Sequence, residues 1–106
     1  LAALTFNVYS TPVEFDYIEV IGPHNEWWAV SSLDINANGE LRGMLADVPA
    51  SHPDFSSESQ SLVIIKKEGE GVRFIFLDEF GNNAGMKMVV DNPKLFAILT
   101  QIEADK

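Results

Sequence analysis

The stretch Leu62-Val63-Ile64-Ile65-Lys66-Lys67-Glu68-Gly69-Glu70-Gly71-Val72-Arg73-Phe74-Ile75-Phe76-Leu77 decides the fold. Two short apolar runs, rich in β-branched and aromatic residues, flank a polar Glu-Gly-Glu-Gly link. Such residues fit a pleated, half-buried surface. Runs of this length bounded by glycine read as strands, and so short a link makes them an antiparallel hairpin. Val72, Phe74 and Phe76 alternate onto one face, Ile75 and Leu77 onto the other. Apolar side chains on both faces place these strands in the middle of a sheet.

Toward the N-terminus, residues 27–35 and 39–45 form a second pair across Asn36-Ala37-Asn38-Gly39, where Asn-Gly is a strong hairpin signal. Residues 13–21 precede them as a strand, with Val13, Phe15 and Tyr17 on one face and Glu14 and Asp16 on the other. That strand ends at the turn Gly22-Pro23-His24-Asn25. Residues 5–9 are β-prone, and Ser10-Thr11-Pro12 interrupts them.

Toward the C-terminus, Gly81-Asn82-Asn83 is a turn and residues 86–90 a further strand. Asn92 then serves as the N-cap of a helix over 93–103, with Pro93 at its first position. Leu95, Ile98, Leu99 and Ile102 recur at helical spacing and form a stripe that packs on the sheet. Strands followed by one helix define an α+β, mainly β fold: an antiparallel sheet of six to seven strands with hairpins and one C-terminal helix. Residues 46–61 hold Pro49, Pro53, several serines and Phe55. They form a long irregular loop, a kind of segment that often carries function.

At 106 residues the chain is a single domain over 1–106, large enough for a core without a metal or disulfide staple. It has no cysteine, which excludes a disulfide framework, a thiolate metal site and a cysteine nucleophile, and fits a reducing, cytoplasmic compartment. No apolar run approaches the roughly 20 residues that span a bilayer. Leu1-Ala2-Ala3-Leu4 is too short for a signal peptide and has no basic flank. Sixteen acidic against seven basic residues give a net charge of -9. Nucleic acid and anionic membranes need Lys and Arg at their phosphates, so the acidic balance points away from both and toward a protein partner with a basic surface.

Catalytic motifs are missing. His24 and His52 are the two histidines, and neither sits in a nucleophile motif. There is no G-x-S-x-G elbow and no Gly-rich phosphate loop with a following Lys. The expectation is a non-enzymatic chain without a cofactor. Phe74, Phe76, Phe80, Met86 and Met88 alternate on strands and read as core.

Three sets of residues are candidates for binding. Trp27 and Trp28 are adjacent on a strand and so point to opposite faces, one into the core and one outward or under a loop. A tryptophan is a favoured interface anchor. With Tyr17 and Phe55 it can form an apolar patch, beside Glu14, Asp16 and Glu19 as steering charges. This is the leading expectation: an acidic interaction module of inhibitor, immunity or adaptor type. It would be a monomer, or a homodimer formed through an edge strand at residues 5–9. The second set is Asp34, Asn36, Asn38 and Glu40, which match the first half of a calcium loop with Gly39 at its sixth position. Leu45 stands where a bidentate Glu would close such a loop. A polar hairpin turn uses the same residue types. The third set is His24 and His52, two loop histidines with acids nearby.

The second half also resembles the haem-utilisation carrier family. Gly39-Glu40-Leu41-Arg42-Gly43-Met44-Leu45 is similar to that family's first turn. Residues 62–67 look like the strand leading to a basic pair, and Phe76-Leu77-Asp78-Glu79-Phe80-Gly81 like its second turn. Lys87 and the 93–103 helix complete the cadence. The resemblance implies a small-ligand carrier for haem. Met44 stands where the family often has histidine, so Met44, His24 and His52 become candidate ligands, with Arg42, Lys66 and Lys67 as the basic residues for propionates.

Overall fold

A computed structural model of the chain describes residues 10–105. Seven strands, β1 (Thr11–Pro12), β2 (Glu19–Ile21), β3 (Trp27–Ile35), β4 (Leu41–Ala46), β5 (Ser61–Glu68), β6 (Gly71–Leu77) and β7 (Asn83–Val90), precede one helix, α1 (Pro93–Ala104). All pairings are antiparallel. The strand order is β1-β3-β4-β5-β6-β7, and β2 also pairs with β3. The expected α+β sheet with a covering helix is thus the observed fold. Residues 5–9, read as an edge strand, lie outside the described residues. No described helix is long and apolar enough to cross a membrane.

Hairpin chemistry fixes the meander. Three hairpins use the same turn, closed by Asn25 N to Gly22 O, Gly39 N to Asn36 O and Gly81 N to Asp78 O, each 3.0 Å. The fourth turn residue has positive φ in each: 66° at Asn25, 79° at Gly39 and 82° at Gly81. This is the type I turn with a following left-handed residue that serves three-residue hairpin loops. Asn36 Oδ1 accepts from Asn38 N and Glu40 N, and Asp78 Oδ1 from Phe80 N and Asn82 N.

The segment before β3 departs from expectation. Residues 13–21 are not one continuous strand. Thr11–Pro12, read as an interruption, pairs with Ile35 and Asp34, and pairing resumes only at Glu19. Val13 and Phe15 pack on the core, and so do Ile18 and Val20. The inward phase therefore slips by one residue between Phe15 and Ile18. Such a slip moves the next side chain to the opposite face, which leaves Tyr17 49% exposed. The strand read over 86–90 begins earlier, at Asn83, because the turn before it is Asp78 to Asn82. Phe80 sits in that turn and is 79% exposed, and Met86 is 62% exposed, so neither is core as their alternation implied. Residues 47–60 are irregular apart from one 3-10 turn, Ser57–Ser59, capped by Ser56.

The sheet curls. Ring centroids of Trp28 on β3 and Phe76 on β6 lie 6.4 Å apart, although three strand spacings in a flat sheet come to about 14 Å. Bulges interrupt the register at Val30/Ser32 and at Ile75/Leu77, and bulges increase local twist. Gly43 leaves the concave face bare of side chain where Leu33 Cδ2 and Ile65 Cδ1 lean in. A Cβ there would meet them at 3.0 and 3.2 Å. One end of the concave face is filled by α1, whose Leu95 and Leu99 join Val63, Ile65, Val72 and Phe74 in the core.

Asn92 joins the two ends of the curl. Its Oδ1 accepts from Leu95 N (3.1 Å), capping α1, and its Nδ2 donates to Glu19 O on β2 (2.9 Å). Two residues on, Lys94 Nζ donates to Tyr17 O (2.7 Å). Asn92 is 8% exposed.

We expect Asn92→Ala to lower unfolding free energy by about 2–3 kcal/mol, combining a lost cap with an unpaired buried carbonyl. Asn92→Ser keeps the cap acceptor and should recover about 1 kcal/mol of this in urea denaturation. Gly43→Val should cost about 1–3 kcal/mol by overpacking the concave face, read from the same urea midpoint.

Candidate functional site

The helix covers one end of the concave face. At the other end lies a cleft of about 800 Å³. Its walls come from the two ends of the strand order, Pro23, His24 and Glu26 in the β2–β3 turn and Ala84, Met86, Lys87 and Met88 on β7. Trp28, Phe76 and Met88 form its apolar floor, each half-buried against the core. Glu26, Asp78 and Glu79 bring three carboxylates to it, while Lys87, opposite the outward-facing Ile75, lines it from the strand edge. A mostly apolar concavity with a few polar groups is the usual form of a binding site.

The hairpin turns hold these polar groups in place. Glu26 Oε1 accepts from His24 N (2.7 Å). Backbone hydrogen bonds, first from its own N–H and then from His24, pull its carboxyl below the ordinary range. Asp78 is fixed by the two backbone N–H groups that it caps. The aromatic residues are set by the pleat, since Trp28 and Phe76 both face inward while their neighbours Trp27 and Ile75 face outward.

The residues singled out in the sequence do not form one site. Trp28 is on the cleft floor, whereas Trp27 is half-buried on the other face, opposite Ile21. Glu14, Asp16 and Glu19 are exposed along the β2 side. Glu19 lines a shallow groove with Tyr17, Ile21 and Asp91, and Tyr17 Oη donates to Glu19 Oε1 (3.2 Å). Phe55 is half-buried within the 47–60 segment and lines neither concavity. The patch of Tyr17, a tryptophan and Phe55 is therefore not assembled, because the slip before Ile18 turns Tyr17 away.

His24 and Met44 both line the cleft. His52 is exposed, and its Nδ1 accepts from Asp54 N (3.0 Å) in a local turn. Imidazole and thioether are a donor pair of the kind that haem takes, but Met44 alternates with Gly43 and Leu45, so its side chain belongs to the other face of β4. The charges beside them do not suit it: propionates would meet Glu26, Asp78 and Glu79. Arg42 and Lys66 are committed elsewhere, to Asp34 and Glu40, and Lys67 lies over the Phe96 ring and beside Glu103. The chain's residues thus do not fit haem well.

The Asp34 to Glu40 set is a hairpin whose oxygens are engaged. Asp34 takes a two-point contact from Arg42 (2.9 and 2.6 Å), which holds the guanidinium pKa above its usual value. Glu40 meets Asn36 Nδ2 (3.3 Å) and Lys66 Nζ (3.2 Å). Among the described residues no group of three or more His, Asp or Glu side chains is placed to hold a metal ion.

Sequence reading missed Phe76, Met86 and Met88 as lining residues, together with Glu26, Asp78 and Glu79. Comparison with family models gives no match, nor does comparison with curated proteins or with solved structures. The resemblance to haem carriers rests on its short motifs alone.

The Glu40 carboxyl is held below the ordinary carboxylate range, first by the Asn36 hydrogen bond and then by Lys66. A depressed folded-state pKa stabilises the fold above the unfolded value of about 4.3, and that contribution is lost as pH falls through the folded value. We expect Glu40→Gln to lower the urea midpoint at pH 7. The gap to the parent chain should close as the buffer is taken down toward about pH 3.

Proposed function

We propose that this chain is a non-enzymatic binding domain that receives a basic segment of a protein partner in its acidic cleft. One observation carries the reading: Trp28, Phe76 and Met88 form an apolar floor in the same concavity that Glu26, Asp78 and Glu79 make acidic. Lys and Arg have an apolar stem and a charged head, which match a floor and rim of this kind. A tryptophan face also attracts a cation directly. Glu14, Asp16 and Glu19 are too far along the β2 side to join the cleft lining, and their role is to add to the negative field that speeds encounter. An inhibitor or adaptor would work in this way, by occupying a basic surface.

The probe for this reading is a ten-residue peptide alternating Lys and Leu. Trp28 reports on it by fluorescence in a Trp27→Phe background. Binding should saturate and weaken with added salt, because exposed charges are screened. Glu26→Gln combined with Glu79→Lys should weaken it roughly tenfold, about 1.4 kcal/mol. Gln keeps the acceptor that the turn needs. Equal binding of a peptide alternating Glu and Leu, or no effect of the double substitution, would overturn the reading.

The shared lining position of His24 and Met44 favours a second reading, a haem carrier. Given the carboxylates around them, titrated haem should keep the absorption of the free compound. A Soret shift abolished by both His24→Ala and Met44→Ala would transfer the function to ligand carriage.

A further inference from the structure

β7 ends the strand order, and among the described residues its only strand partner is β6. In an extended strand the backbone N–H and C=O groups point alternately to the two sides. Among the described residues, no strand pairs with the donors and acceptors on the side of β7 away from β6. Its first residues are unsuited to pairing, since Gly85 has φ of 84° and its N–H turns back to Asn83 Oδ1 (2.7 Å). From Lys87 on the strand is regular, pairing residue by residue through Ile75↔Lys87, Phe74↔Met88, Arg73↔Val89 and Val72↔Val90. The cleft lies beside this edge, with Met86 and Met88 lining it.

Resting on the reading above, we infer that the basic segment binds as an added β-strand along residues 86–90 of β7. Main-chain hydrogen bonds hold it, and every second side chain enters the cleft. Strand addition divides recognition in this manner, with backbone bonds supplying affinity and pockets for alternate side chains supplying selectivity. The alternate side chains would lie along Met88 and reach Phe76 and Trp28, with their charged heads toward Glu26 and Glu79. Charge favours this occupant over a second copy of the chain. Two copies at -9 each repel.

The test uses the full chain and the alternating Lys–Leu peptide in its parent form and in two N-methylated forms. Each form carries N-methyl groups on one of the two alternating sets of amides. A strand added to β7 donates through one set only. One form should bind like the parent and the other at least tenfold more weakly. Hydrogen exchange at residues 86–90 should slow at least tenfold on binding of the parent peptide. If the parent binds but both N-methylated forms match it and β7 exchange is unchanged, strand addition is overturned while the cleft reading stands. If the parent does not bind, both fall. If β7 is already protected in the chain alone, in step with a concentration-dependent dimer mass, a second copy holds the edge and the inference is wrong.

Discussion

The amide side chain of Asn92 meets two requirements at once. Capping α1 needs an acceptor facing Leu95 N, and closing the curl needs a donor facing Glu19 O. Ser accepts in the first role but is too short to cross to β2, and Asp would set a carboxylate against a carbonyl. Asn carries both groups on one planar head. The position is buried, so each unmet group would cost its full desolvation. Once this residue is in place, the first turn of α1 is fixed over β2. Leu95 and Leu99 then follow into the core with Val72 and Phe74. The same contact covers the start of the β2 edge, since Asn92 takes up the Glu19 carbonyl and Lys94 that of Tyr17 just before the strand.

That closure is one-sided, and the cleft follows from it. Where α1 crosses, the two ends of the strand order are tied together. Beyond its reach they part, and the floor between them is left to Trp28, Phe76 and Met88. The bulges at Val30/Ser32 and Ile75/Leu77 add the twist that brings the two rings together. A chain selected for stability alone would cover these rings, since apolar area left in water forgoes about 25 cal/mol per Å². Leaving them half-covered beside the outer edge of β7 is the kind of cost that binding surfaces carry.

The elements legible in the sequence were those set by local chemistry. Asn92-Pro93 announces the helix start, and the stripe from Leu95 to Ile102 announces its buried face. Asn36 to Gly39 announces its own hairpin, and the run from Leu62 to Leu77 its central strands. Misreadings arose where one residue changes the phase. The pattern Val13, Phe15, Tyr17 alternates perfectly, and nothing local says that Ile18 will take the next inward place. Phe80 and Met86 likewise carry core composition in places that a turn and an edge expose. The cleft was illegible for a different reason. Trp28 and Phe76 lie 48 positions apart, and only the curl of the intervening strands makes them neighbours. Trp28 could be named as an anchor from its residue type, but its companions could not.

The charge distribution extends this argument. Among the described residues, four of the sixteen carboxylates pair with Lys or Arg, as Asp34–Arg42, Glu40–Lys66, Glu68–Arg73 and Glu103–Lys67. Exposed pairs of this kind add little stability. Their larger effect is on where the remaining charge falls. They neutralise most of the chain's cations on β4, β5 and β6, so the acidic excess is left on the β2 side, the 47–60 segment and the cleft. A strand edge that is free in solution invites pairing with any exposed strand, and natural proteins commonly blunt such edges with charge. Here Lys87 sits on the edge itself while the field around it is negative. Neutral and acidic strands gain nothing from that field, and a second copy is repelled by it. A basic extended segment is the one class of strand for which edge, floor and field all act in the same direction.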